Sequence, residues 1–212
     1  MLKNNKKLLV WSTLVLLLPM LLGLILWNRL PDEIAIHFNA AGEADNFAGK
    51  AFTVFAIPGI MLAVHLLALV MTSVDPKHKN IDGKPLTLIF WLCPVLNLLL
   101  SSVVYANALN IGLNVGLVMM LVLGVMFIVI GNYLPKCKQN FSFGIKIPWT
   151  LNDEENWNHT HRFTGRLWTL CGALMVLLAF TANIWICMGI LFVMVIPPMI
   201  YSYLYYKKHS AE

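Results

Sequence analysis

The stretch GNYLPKCKQNFSFGIKIPWTLNDEENWNHTHRFTGRLW, residues 131–168, decides how this chain folds. It is the longest run of mixed polarity in a sequence that is otherwise mostly apolar. It carries Lys136, Lys138, Lys146, Asp153, Glu154, Glu155, Arg162 and Arg166, with Trp149, Trp157, His159 and His161 among them. Before it, Leu113 to Leu134 contains no charged residue, and after it the charge-free run resumes at Leu167. A polar island between two such runs is a loop between membrane-spanning helices. Composition agrees: 59% of the 212 residues are hydrophobic and 12% charged, where a soluble domain has roughly 25% charged.

Working outward, the same signal recurs. Leu8 to Asn28 is free of charge and long enough, at about 1.5 Å per residue, to cross a hydrocarbon core of about 30 Å. It ends in Leu-Trp-Asn-Arg-Leu-Pro rather than the small residues of a signal-peptide cut, so it reads as a first span. Phe52 to Val74, Leu86 to Leu109, Leu113 to Leu134, Leu167 to Ala182 and Ile184 to Tyr206 are the others. The fifth is short and needs a turn from the preceding loop. Pro197-Pro198 should kink or interrupt the sixth. Asn110-Ile111-Gly112 is a minimal link between spans three and four, and Gly112-x-x-x-Gly116 is a packing motif of low specificity.

Lysine and arginine fix the expected orientation. With the N-terminus inside, the inner segments hold thirteen of the fifteen basic residues, leaving Arg29 and Lys50 outside. The positive-inside rule predicts this bias, and all six spans are needed to produce it. The net charge of +5 is thereby assigned to topology rather than to nucleic acid. The fold class expected is all-α: a polytopic helical membrane protein of about six transmembrane helices with one cytoplasmic interfacial helix.

That interfacial helix is read from the organising stretch. Pro148 holds Ile147 extended, and Thr150-Leu151-Asn152-Asp153 fits an N-cap with a carboxylate three residues on. Trp157, His161, Gly165 and Trp168 then share one face, expected to meet lipid headgroups. His159 and His161 stand about 200° apart on a helix, so only Glu155 and His159 fit one face, too few for zinc. No nucleophile framework surrounds Ser142 or Cys137. The four cysteines have no disulfide or zinc spacing. No enzyme, metal site or cofactor is expected. Within the spans, His65 and Asn97 read as helix-to-helix glue, with proton-coupled transport through His65 the competing idea.

The outer segment from Arg29 to Ala51 alternates apolar residues over Ile34–Phe38 like a short strand and turns at Asn39-Ala40-Ala41-Gly42. Leu30-Pro31-Asp32-Glu33-Ile34-Ala35-Ile36-His37-Phe38-Asn39, with Gly42, Asp45, Lys50 and Ile57-Pro58, resembles the N-terminal module of uncharacterised function in SdpI-type membrane proteins. Ala35 departs from the proline frequent there. The run Gly131-Asn132-Tyr133-Leu134-Pro135-Lys136, Phe143-Gly144-Ile145-Lys146 and Pro148-Trp149-Thr150-Leu151, then Trp157, His161-Arg162 and Gly165-Arg166, resembles the SdpI module itself.

The resemblance implies an N-terminal membrane module over 1–110 and an SdpI-like module over 111–212. It implies immunity to a secreted, membrane-active toxin peptide, and signalling by holding a small transcriptional repressor at the membrane. Pro31, His37, Asn39, Gly42 and Asp45 are then the outer ligand candidates. Asn132, Pro135, Gly144, Pro148, Trp149, Thr150, Trp157, His161, Arg162, Gly165 and Arg166 are the inner partner-binding candidates. Membrane lipid is a partner and nucleic acid is not bound directly. The alternatives are a small membrane transporter or a general envelope-stress protein.

Overall fold

The computed structural model describes residues 2–209. Met1 and residues 210–212, the two ends that charge places inside, lie outside the described residues. Six helices are long and apolar enough to cross a membrane, making this a multi-pass membrane protein. Their outward faces carry Leu21, Leu67, Val125, Leu170, Leu177, Trp185 and Phe192, all exposed, an apolar surface suited to lipid rather than water. The chain packs as two compact units: residues 1–70 with 87–118, and residues 71–86 with 119–212. The connector after the second span thus belongs with the organising loop.

In the first unit, α1 (Lys6–Ile25), a hairpin of β1 (Glu33–Phe38) and β2 (Ala44–Gly49), α2 (Phe52–Ser73) and most of α3 (Gly83–Ala108) come together. The strand expected at Ile34–Phe38 is present, and its antiparallel partner begins just past the turn. Polar side chains act as helix glue. From α3, Asn97 Nδ2 donates to the Leu16 carbonyl at 2.9 Å, and Tyr105 Oη donates to that of Pro19 at 3.1 Å. Both acceptors lie within about one turn of the Val15 carbonyl, which Pro19 leaves without its helical donor. His65 on α2 meets Ser12 Oγ at 3.3 Å. The first turn of α2 is widened, with the Ile57 amide reaching back to Phe52, immediately before Pro58. Leu30, Ile34, Val54 and Tyr105 close a core beneath the hairpin.

In the second unit, α4 (Val115–Tyr133) leads to the loop, to the short α5 (Pro148–Asn152), and to α6 (Glu154–Leu178) and α7 (Ile184–His209). The interfacial helix and the fifth span are one continuous α6, so the span borrows several turns rather than one. Its cap is Asp153, which accepts from the Glu155 amide at 2.8 Å, and not Thr150 as the sequence suggests. The break at Asn183 is real: Ala182 is left-handed and Asn183 Oδ1 accepts from the Trp185 amide. Pro197-Pro198 does not interrupt α7. Pro198 cannot donate to the Met194 carbonyl, and Trp168 Nε1 donates there instead at 2.8 Å. Met120, Cys171, Met175, Ala179, Cys187, Ile190 and Met194 form the core.

Helices α4 and α6 approach more closely than side chains permit. A Cβ on Gly165 would lie 2.6 Å from the Gly131 carbonyl, and one on Gly172 would lie 2.6 Å from that of Gly124. The two glycines on each helix are seven residues apart and run in opposite directions, so one antiparallel seam carries both crossings. Gly112 is no part of it: at φ +70° it makes the turn, with open space around it.

Candidate functional site

The organising loop is built around one carboxylate from the connector. Asp75 Oδ2 accepts from the Phe141 amide at 2.8 Å and the Ser142 hydroxyl at 2.6 Å, while Oδ1 accepts from the Lys77 amide at 2.7 Å. Burial pulls the Asp75 carboxyl up, but the Ser142 hydroxyl and the amides of Lys77, Phe141 and Ser142 outweigh it and leave it below the ordinary value. Asn140 Oδ1 accepts from the Ser142 and Phe143 amides at 2.9 and 2.7 Å, closing the turn that presents Phe141.

Gln139 links three segments. Its Nε2 donates to the carbonyls of Thr150 and Leu151 at 2.8 and 2.9 Å, its Oε1 accepts from Lys77, and Asn80 donates to its backbone carbonyl at 2.8 Å. Among Asp75, Gln139 and Asn140 none is more than 5% exposed. Such buried polar groups persist only when satisfied, so they specify one loop conformation.

Beneath the loop, Trp157 and His161 stack at 4.0 Å. Trp157 Nε1 donates to the Cys137 carbonyl at 2.7 Å. His161 Nδ1 donates to the Trp157 carbonyl at 2.8 Å and Nε2 accepts from the Ile145 amide at 3.0 Å, which fixes a neutral ring. Gly144 sits directly above, at φ +126°, where a Cβ would lie 2.4 Å from His161 Nε2. Only glycine fits there, on both conformation and space. Thr150 Oγ1 donates to the Ile145 carbonyl at 2.7 Å and accepts from the Ile147 amide at 3.1 Å. The α6 face expected to meet headgroups is therefore covered by protein: Trp157 and His161 by the loop, Gly165 by Gly131 and Pro135, and Trp168, half-buried, by Phe127.

The eleven inner candidates divide accordingly. Thr150, Trp157, His161 and Gly165 are buried and Gly144 is wedged onto His161, so these five are packed within the protein. Asn132, Pro135, Pro148, Arg162 and Arg166 are exposed. Trp149 is half-buried, edge-on to Tyr203 at 5.5 Å and stacked on Tyr206 at 6.3 Å. Glu155 and His159 approach to 3.9 Å, and the His159 ring stacks on Tyr205 of α7 at 4.7 Å, away from His161.

Asp75, Gln139 and Asn156 were missed by sequence reasoning. Asn156 Nδ2 donates to the Ser202 carbonyl at 3.0 Å, and its Oδ1 accepts from Ser202 and Thr160 at 2.6 and 2.9 Å, fastening α6 to α7. The available signal for Asp75 was an acidic residue abutting the end of a span in a connector otherwise rich in Lys77, His78 and Lys79.

The outer candidates lie in the first unit. Asn39 Oδ1 accepts from the amides of Ala41 and Glu43 at 2.9 and 3.0 Å, and Gly42 at φ +80° completes the turn, so these two shape the hairpin. Pro31 is exposed ahead of β1. His37 Nδ1 and Asp45 Oδ1 meet at 2.6 Å across the strands, both well exposed.

Comparison with known proteins finds two matching stretches. Residues 136–202 match the SdpI/YfhL protein family, and residues 14–62 match a domain of unknown function, DUF1648. The chain is similar to the immunity protein SdpI of Bacillus subtilis (strain 168), 29% identical over 206 residues, covering 93% of this chain and 95% of that one. No solved structure matches.

Proposed function

We propose that the chain is an SdpI-type integral membrane protein and, as such, an immunity protein protecting its producer from a secreted, membrane-active peptide. The observation that carries this reading is similarity over 93% of the chain to a protein named for immunity. In this reading the protein lies in the bacterial plasma membrane, with both termini and the organising loop in the cytoplasm and the hairpin outside. The charge bias of the connecting segments supports that orientation. The division into modules 1–110 and 111–212 belongs to the same proposal.

Two surfaces fit the two roles. The exposed His37–Asp45 pair on the hairpin is where a secreted peptide arrives. The cytoplasmic platform, rigid through its buried hydrogen bonds, offers Trp149, Pro148 and Arg162 to a small repressor protein. Survival of a toxin-sensitive cell expressing the chain, with and without the peptide, tests the proposal; no gain in survival refutes it. His37→Ala with Asp45→Ala should cut survival about tenfold or more. An exposed pair contributes only about 0–1 kcal/mol to stability, so such a loss reports ligand contact rather than unfolding. Trp149→Ala with Arg162→Ala should abolish membrane recruitment of the repressor while part of the protection survives at equal protein levels. Loss of protection with recruitment intact would reverse the assignment of the two faces.

Orientation has its own test. Cysteine at Ala44, an exposed hairpin position, should react with an impermeant thiol reagent in intact cells. Native Cys137 is no inner control: it is 4% exposed, and burial pushes its thiol up to about 12, so it stays unreactive from either side. Lys138→Cys, exposed on the loop, is the proper counterpart and should label only after the membrane is opened.

A further inference from the structure

A groove of about 390 Å³ opens where α4 and α6 cross, with Gly131 and Gly165 at its base. Its polar walls are Asn132 from α4 and Arg166 from α6, and Pro135 and Leu170 supply apolar ones. Thr169 also lines it, but its hydroxyl donates to the Gly165 carbonyl at 2.8 Å, so the donors left are the Asn132 amide and the Arg166 guanidinium. Both side chains are exposed, and neither has a partner among the described residues. No carboxylate lines the groove.

The groove also sits at a chemical boundary. From Arg166 onward α6 carries no further charge, and α4 carries none before the Lys136 that follows it. Leu170, one turn beyond Arg166, is 70% exposed, as a lipid-facing residue is. A fork of guanidinium donors with a neighbouring amide donor, facing no acid, is the chemistry that holds a phosphate. A phosphate at the edge of an apolar helix surface, with a leucine and a proline beside it, is a phosphodiester attached to acyl chains.

We propose that this groove seats the phosphate of an anionic phospholipid headgroup, held by Arg166 and Asn132, with the acyl chains running down past Leu170. The site is independent of the immunity reading. Arg162, one turn earlier on the same face, lies outside the groove and stays available to a soluble partner.

The test uses the full chain in nanodiscs of phosphatidylcholine with a minor fraction of phosphatidylglycerol, followed by native mass spectrometry of the lipids retained. The wild type should retain phosphatidylglycerol in preference to phosphatidylcholine. Arg166→Gln should lower that retention at least about fivefold, and Arg166→Lys should recover part of it. Asn132→Ala should lower it by a smaller factor. Arg166 has no hydrogen-bond or ion-pair partner among the described residues, so thermal unfolding of its variants should match the wild type, and Asn132→Ala provides the second reading. Lys207→Gln, exposed at the far end of α7, should change nothing. An equal loss in Lys207→Gln would mean general surface charge and would overturn the site, as would unchanged retention in Arg166→Gln. Displacement of the lipid by excess inorganic phosphate would assign the groove to the free anion and also overturn it.

Discussion

Gly165→Leu should abolish recovery of folded protein, and Gly165→Ala should lower its stability by about 1–3 kcal/mol in detergent-solubilised thermal unfolding. The atom that a Cβ meets first is the Gly131 carbonyl oxygen at 2.6 Å, with Pro135 Cδ and Cγ at 2.7 Å. None of these is the end of a flexible side chain, so nothing can swing away. Relief requires separating α4 from α6, and the second crossing at Gly124 and Gly172 resists that. In lipid, helices gain little from apolar burial alone, and close backbone approach is what favours association. A leucine therefore costs the contact that holds the unit together. Gly112→Ala is the comparison: it should be far milder, since it meets backbone strain at φ +70° but open space. Equal stability of Gly165→Leu and wild type would show that the seam contributes nothing.

The same seam shows why some of the molecule was legible in its sequence and some was not. Span positions could be read because a charge-free run of some twenty residues has few alternatives to crossing a membrane. The hairpin turn was readable for a similar reason, since Asn39 and Gly42 act on their own neighbours. Helix α6 was misjudged at its start because Asn156, Thr160, His161 and Thr164 are polar yet buried among protein groups, so hydropathy placed the boundary near Leu167. The face through Trp157 and His161 was identified correctly, but its environment was not, because periodicity says which residues share a face and not what covers it. Gly112-x-x-x-Gly116 attracted notice by spacing, whereas the working glycines stand seven apart on two different helices. Asp75 and Phe141 are separated by 66 positions, and no local pattern joins them.

Asp75→Ala should destabilise the second unit by about 3 kcal/mol or more and release the 139–147 loop, the larger effect being on the loop. The substitution removes a charged acceptor from the Phe141 amide, the Ser142 hydroxyl and the Lys77 amide together. Each lost bond to a charged group counts for about 1.5–3 kcal/mol, and the buried donors are left without water to replace it. Asp75→Asn should fall between, because an amide oxygen still accepts but its nitrogen opposes one of the donors. Acidification separates charge from shape. The folded-state carboxyl sits below its ordinary value of 3.8, so its contribution is fully present above the unfolded value and is lost as pH falls through the folded one. Across pH 5 to 8 the gap between wild type and Asp75→Asn should stay constant, and below about 4 it should narrow. Hydrogen exchange at the Phe141 and Ile145 amides should rise in both variants, first at Phe141, which Asp75 binds directly, and then at Ile145, which rests on His161. A gap that widens as pH falls, or protection at Phe141 unchanged in Asp75→Ala, would mean that the carboxylate does not hold the loop.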